Sequence, residues 1–256
     1  MPTKKRKPSK KTMADKKHAM SHKEQDKLAI QRGEVIQPGQ LQEEAGVTTW
    51  RIFRILSEFV DGYEFLSGLK NNVTIFGSAR TRPEKKDYQT AYQLGKLLAK
   101  EGYGVVTGGG PGIMEAGNKG AYEAGGESLG LNIQLPMEQR VNPYVRHSIG
   151  FHFFFTRKVM LTSPAKAFFA FPGGFGSIDE VFEIMTLIQT KKIDPVPMIL
   201  VGQKYWGSLD HFIIEHMLKE KKTISPDDIN IYQIVDTAEE AIKALKNWNK
   251  RKKRKV

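Results

Sequence analysis

Three glycine clusters, each set directly after a short β-rich run, constrain this chain more than any other feature. They are Gly77-Ser78 after "NVTIF", Gly108–Gly112 after "YGVVT" and Gly173–Gly176 after "AFFAFP". Six stretches read as strands: 72–78, 103–110, 128–135, 166–174, 196–202 and 229–236. Helical spacings fill the intervals at 88–102, 112–125, about 156–163, 177–192 and 205–220, and a last helix is read at 237–248. The segment 136–155 between the third strand and its helix reads as irregular. Strands that alternate with helices require long crossovers, so the expected architecture is α/β: a doubly wound, mostly parallel sheet with helices on both faces. The expected division is a basic arm at 1–34, a helical extension at 35–70, the α/β domain at 71–248 and a basic tail at 249–256. In the extension, Trp50, Phe53, Leu56, Phe59, Val60 and Tyr63 recur at spacings of three and four, as in an amphipathic helix. Ligands of such sheets sit at the carboxyl ends of the strands. All three glycine clusters belong on that edge.

The net charge of +12 suggests nucleic acid until it is located. Residues 1–30 hold 10 Lys/Arg against 3 acids, and residues 246–256 hold 7 against none, which leaves 23 against 25 for the body. The basicity therefore lies in two tails, and like-charged blocks of this kind are usually solvated. Contact of the tails with nucleic acid is conceivable but nothing else supports it. With no cysteine, a disulfide, a thiolate metal site and a Cys nucleophile are excluded. No apolar run approaches the roughly 18 residues of a membrane span, and the basic start "MPTKKRKPSK" lacks the apolar core of a signal peptide. A cytoplasmic protein without membrane contact is the expectation.

A glycine turn entering a helix brings backbone N–H groups close to an anion, and the helix dipole adds partial positive charge. "GGGPG" matches neither the dinucleotide fingerprint nor the triphosphate loop. In "PGGFGSIDE", Ser177 and Glu180 have capping-box spacing, so a capped turn explains part of the pattern. Three glycines exceed what a cap needs, however, and Arg157-Lys158 are placed to enter the same edge. A guanidinium beside a carboxylate, flanked by glycine loops, suits a sugar phosphate better than an apolar ligand. No His/Asp cluster has metal-ligand spacing, and neither Lys158 nor Lys166 indicates a Schiff base, so no metal and no cofactor are expected.

These residues resemble the LOG (Lonely Guy) family, long labelled lysine decarboxylase-like. The family pattern P-G-G-x-G-T-x-x-E stands here as Pro172 to Glu180, with Ser177 in place of the common Thr. The Arg-Lys pair is Arg157-Lys158, the triple-glycine segment is "GGGPGIME", and the first-strand Gly-Ser is Gly77-Ser78. The resemblance spans about residues 70–220. It implies a Rossmann-like fold and a nucleoside 5′-monophosphate phosphoribohydrolase, which releases an adenine- or cytokinin-type base and ribose 5-phosphate. It also implies a homodimer or larger homo-oligomer. Carried over by position, Arg157 and Glu180 are the catalytic pair. Substrate contacts fall to Ser78, Gly109, Gly110, Gly112, Met114, Glu138, Lys158, Gly173, Gly174, Phe175, Gly176, Ser177, Ile178, Asp179 and Thr186.

The chemistry is intelligible from those side chains. Breaking an N-glycosidic bond builds positive charge at C1′ and O4′, which an ionised carboxylate stabilises. Arg157 is expected to keep Glu180 ionised through its own charge. The competing reading is a non-catalytic nucleotide-binding or sensing protein on the same fold.

Overall fold

A computed structural model describes residues 45–69, 71–134, 141–163 and 165–253. The basic arm read at 1–34, the start of the helical extension and the last residues of the basic tail lie outside these. The chain divides into two units, Met1–Arg54 and Ile55–Val256. The described part of the first is the opening of helix α1 (Ala45–Ser67).

The second unit holds the sheet. In chain order it contains β1 (Asn72–Phe76), α2 (Lys86–Lys100), β2 (Gly104–Thr107), α3 (Ile113–Glu123), β3 (Ser128–Ile133) and β4 (His147–Phe151). There follow α4 (Phe154–Thr162), β5 (Ala165–Ala170), α5 (Phe175–Gln189), β6 (Met198–Val201), α6 (Gln203–Phe212), β7 (Tyr232–Val235) and α7 (Ala238–Lys253). A π-helical stretch, Ile213–Glu220, continues α6. All strand pairings are parallel, in the order β4-β3-β2-β1-β5-β6-β7. Strand order reverses between β1 and β5, which makes the sheet doubly wound and Rossmann-like and opens a crevice at their carboxyl ends.

Period-two alternation along the strands feeds two cores. Ile75, Phe169 and Ile199 point to one face, against Tyr88, Leu94 and Leu98 of α2 and Leu245 of α7. Phe76, Phe168 and Leu200 point to the other, against Met160 of α4, Ile184 of α5 and Trp206 of α6. Burial of each such side chain contributes about 1.5–3 kcal/mol. Both sheet faces are thus covered, as a parallel sheet requires.

Three elements differ from the sequence expectation. Residues 147–151, read as irregular, form an edge strand in register with β3, from Leu129↔His147 to Ile133↔Phe151. Its residues "HSIGF" are mostly exposed and only Phe151 is buried, so backbone pairing rather than an apolar pattern makes it a strand. Helix α7 continues through Asn249–Lys253, into the segment read as basic tail.

Helix α5 begins at Phe175 with Gly174 as its N-cap and no side-chain cap. The expected capping box of Ser177 and Glu180 is therefore absent. Ile178 N–H already bonds Gly174 O at 3.1 Å, which places Ser177 inside the first turn. A Cβ on Gly173 would collide with Ser177 Oγ, so the chain turns too tightly for Ser177 to stand outside the helix. A capping box does form at α7: Glu240 N–H bonds Thr237 Oγ1 at 3.1 Å, and Glu240 Oε2 accepts Thr237 N–H at 3.2 Å.

Candidate active site

The three glycine loops meet at the crevice. Ser78 N–H donates to Pro172 O at 3.1 Å, and Ile113 N–H donates to Ser78 O at 3.0 Å, so the loops after β1, β2 and β5 are tied together by backbone. Gly112 is held at φ 70°, where a Cβ would also collide with Ser78 O. Only glycine suits both conditions. Since Ser78 N–H is engaged, its free contribution is the hydroxyl, which already accepts Arg80 N–H at 3.0 Å and retains its own proton to donate.

The triple-glycine loop is held from beneath by a polar network that the sequence did not disclose. Gly109 N–H donates to Thr107 Oγ1 (2.9 Å), whose hydroxyl donates to Asn118 Oδ1 (2.6 Å). Asn118 Nδ2 donates in turn to Ser128 Oγ (2.9 Å) and Leu129 O (3.1 Å). Asn142 Nδ2 lies 3.0–3.1 Å from Asn118 Oδ1, Gly109 O and Gly110 O. All four side-chain owners are buried. The one available hint was Asn118, a polar residue on the small, buried face of "GIMEAGNKGA". Asn132 stands beside Gly109, and its buried Oδ1 has no hydrogen-bond partner among the described residues.

Arg157 comes from the first turn of α4. It is only 8% exposed, and its Nε donates to Leu131 O at 2.7 Å. The guanidinium lies against Gly108, where a Cβ would strike Nη2, and Met114 Sδ borders the same spot. Glu180 faces it from the second turn of α5. Burial pushes the Glu180 carboxyl up to about 7. Arg157 and Lys158 pull it down, while Asp179 and Glu183 push it further up. The expectation that Arg157 keeps Glu180 ionised is thus corrected, because burial outweighs the guanidinium. Burial likewise lowers the Arg157 pKa, with Glu180 opposing that shift. The Glu180 carboxyl is thereby poised near neutral pH, where a general acid–base group is most effective.

Lys158 is engaged elsewhere. Its Nζ pairs with Asp179 Oδ2 at 2.8 Å and Glu183 Oε2 at 3.0 Å, which joins α4 to α5. Gly173 to Ile178 form the loop and first turn of α5. The N–H groups of Phe175, Gly176 and Ser177 have no intrahelical acceptor by helix geometry, and Phe175 is 95% exposed. Tyr205 supports this loop from behind, its hydroxyl donating to Gly173 O at 2.7 Å.

Thr186 does not join the group. Its hydroxyl bonds Phe182 O, and the residue lines a separate small cavity with Ile213, Met217 and Tyr232. Glu138 lies outside the described residues. Among the described residues, no group of three or more His, Cys, Asp or Glu could hold a metal ion, and no helix is long and apolar enough to cross a membrane.

A family model described as "possible lysine decarboxylase" matches residues 114–245, which is more than half of the chain. The chain belongs to this family, the LOG family. The LOG1 cytokinin riboside 5′-monophosphate phosphoribohydrolase of Arabidopsis thaliana is 32% identical over 92 residues, 36% of this chain and 42% of the relative. The chain thus matches less than half the length of that relative. A probable enzyme of the same name from Oryza sativa subsp. japonica, LOGL6, is 27% identical over 75% of this chain and 77% of its own.

Among solved structures, the molybdenum cofactor binding protein from the phototrophic bacterium Rippkaea orientalis has a TM-score of 0.51 and 25% identity. The match covers 70% of this chain and 96% of that one. The Moco carrier protein of Chlamydomonas reinhardtii also reaches 0.51, at 23% identity over 71% of this chain and 99% of its own. The LOG-family fold is therefore shared with relatives named as hydrolases and with structures named as cofactor carriers.

Proposed function

We propose that this LOG-family protein is a nucleoside 5′-monophosphate phosphoribohydrolase acting on an adenine- or cytokinin-type nucleotide. The observation that carries the reading is the Arg157–Glu180 pair, set beneath the triple-glycine loop and beside the open first turn of α5. The relatives named above as phosphoribohydrolases support it. The 5′-phosphate goes to the first-turn amides of α5 and the Ser78 hydroxyl, with Gly110–Gly112 alongside. That remote grip fixes C1′ relative to Glu180. Asn132 Oδ1, a buried acceptor that is costly to leave unpaired, offers a partner to a ligand N–H or O–H.

In the reaction the C1′–N bond breaks and a water oxygen bonds to C1′. One water proton passes by way of Glu180 to the departing base. Ionised Glu180 stabilises the cationic sugar before it takes that proton, and a carboxyl poised near 7 can both accept and return it. Arg157 holds the phosphate or a ribose hydroxyl. Lys158 and Asp179 act through their ion pair, keeping α4 and α5 in register.

A second reading, a nucleotide or cofactor carrier, is favoured by the named carriers among the fold relatives. A panel of nucleoside monophosphates, assayed for free base and ribose 5-phosphate, separates the two. Release by wild type and its loss in Glu180→Ala support the enzyme. Tight nucleotide binding without release, unchanged by Glu180→Ala, supports the carrier.

A further inference from the structure

Helix α4 carries Arg157 at its fourth residue, yet its N-cap, Phe153, has no side chain able to cap it. The third helical residue, Thr156, is too short to reach back to the N-cap amide as the Glu of a capping box does. That place is taken from another helix. Glu58 of α1, 94 residues earlier, accepts the N–H of His152 on Oε1 at 2.7 Å. Its Oε2 accepts the N–H of Phe153 at 3.3 Å and the hydroxyl of the fully buried Thr156 at 2.5 Å. One turn further along α1, on the same face, Gly62 lies so close that a Cβ would stand 2.7 Å from Met160 Sδ. Helix α1 therefore grips α4 twice, by a charged cap at its start and by close packing at its middle.

We propose that Glu58 is a positioning residue for the active site: by capping α4 from outside, it fixes where the Arg157 guanidinium stands opposite Glu180. The inference rests on the roles given above to Arg157 and Glu180. The first-turn amides of α5 and the Ser78 hydroxyl contribute nothing to this cap, so loosening it moves Arg157 while the rest of the phosphate grip stays in place. Arg157 and Lys158, both on α4, are the groups that hold the Glu180 proton affinity down, whereas Asp179 and Glu183 share its helix. Movement of α4 is therefore readable at Glu180 itself.

The test uses the full chain as wild type, Glu58→Ala and Glu58→Gln, with folding followed by circular dichroism. Glu180 is titrated by carboxyl 13C NMR, its signal assigned with Glu180→Gln, and kcat and KM are measured with AMP. In folded Glu58→Ala the Glu180 midpoint is expected to rise and kcat to fall roughly 10- to 100-fold. KM is expected to rise by less than kcat falls, because Arg157 alone among the proposed binding groups sits on α4. Glu58→Gln keeps an acceptor of similar reach, and it is expected between wild type and Glu58→Ala in both readouts. A folded Glu58→Ala whose Glu180 midpoint does not move overturns the proposal. So does failure of both variants to fold, which would make Glu58 a stability residue. Wild type inert toward every nucleotide would refute the proposed reaction instead, and the Glu180 titration would still decide the role of Glu58.

Discussion

At Glu180 two effects oppose each other: burial favours the neutral acid and the Arg157 guanidinium favours the carboxylate, with burial the larger. The folded state consequently holds this proton more tightly than the unfolded chain. Raising the pH from about 4.5 to about 7 therefore costs stability, and the penalty is fully present above that range. Glu180→Gln removes it. The variant is expected to unfold at higher temperature than wild type at pH 8, by up to about 3 kcal/mol of stability, with the gain vanishing toward pH 4.5. Thermal unfolding across that range checks it; an equal gain at every pH would show that the carboxyl is not held neutral by burial. The same substitution is expected to abolish base release, so the site keeps a residue that function needs at the expense of stability. Arg157 and Glu180 were legible as candidate site residues from their motifs. The balance between them was not, because burial depends on residues far apart in sequence.

Among elements, the two ways of fixing loops and helices differ in strength. The bridge from Lys158 on α4 to Asp179 and Glu183 on α5 is partly exposed, with Asp179 62% accessible. Such pairs contribute about 1 kcal/mol or less. The Asn118 network is fully enclosed, and replacement of Asn118 by an apolar side chain removes the acceptor of the Thr107 hydroxyl and the donor to Ser128 Oγ and the Leu129 carbonyl. Asn118→Leu is expected to lose about 3 kcal/mol or more in urea unfolding, and Lys158→Met less than a third of that. Equal losses would contradict the difference in burial. Sequence spacing located α2, α3 and α5 within a few residues. It missed β4, whose residues carry no β pattern, and it placed the α5 cap at Ser177, because capping-box spacing says nothing about how tightly Gly173 turns.

For the whole molecule, a second copy is the proposed partner. Phe154, Phe155 and Val159 of α4 and Phe175 of α5 remain 37–95% exposed, and exposed apolar side chains grouped near a site mark an interaction surface. Light scattering after size exclusion is expected to give about twice the chain mass, and Phe155→Ser with Phe175→Ser is expected to halve it. A wild-type monomer at all concentrations would refute the proposal.

The alternation of short β runs with helical spacings was enough to set a parallel, doubly wound sheet, and the glycine positions were enough to place three loops on its carboxyl edge. Both follow from local rules, since periodicity and glycine placement act over a few residues. Only the tertiary structure brought Asn118 under the glycine loop, raised the Glu180 carboxyl to about 7, sent Thr186 to a different cavity and set Glu58 on the first turn of α4. Each of these depends on which residues burial brings together across a crossover or a helix interface, and no spacing within one segment encodes that.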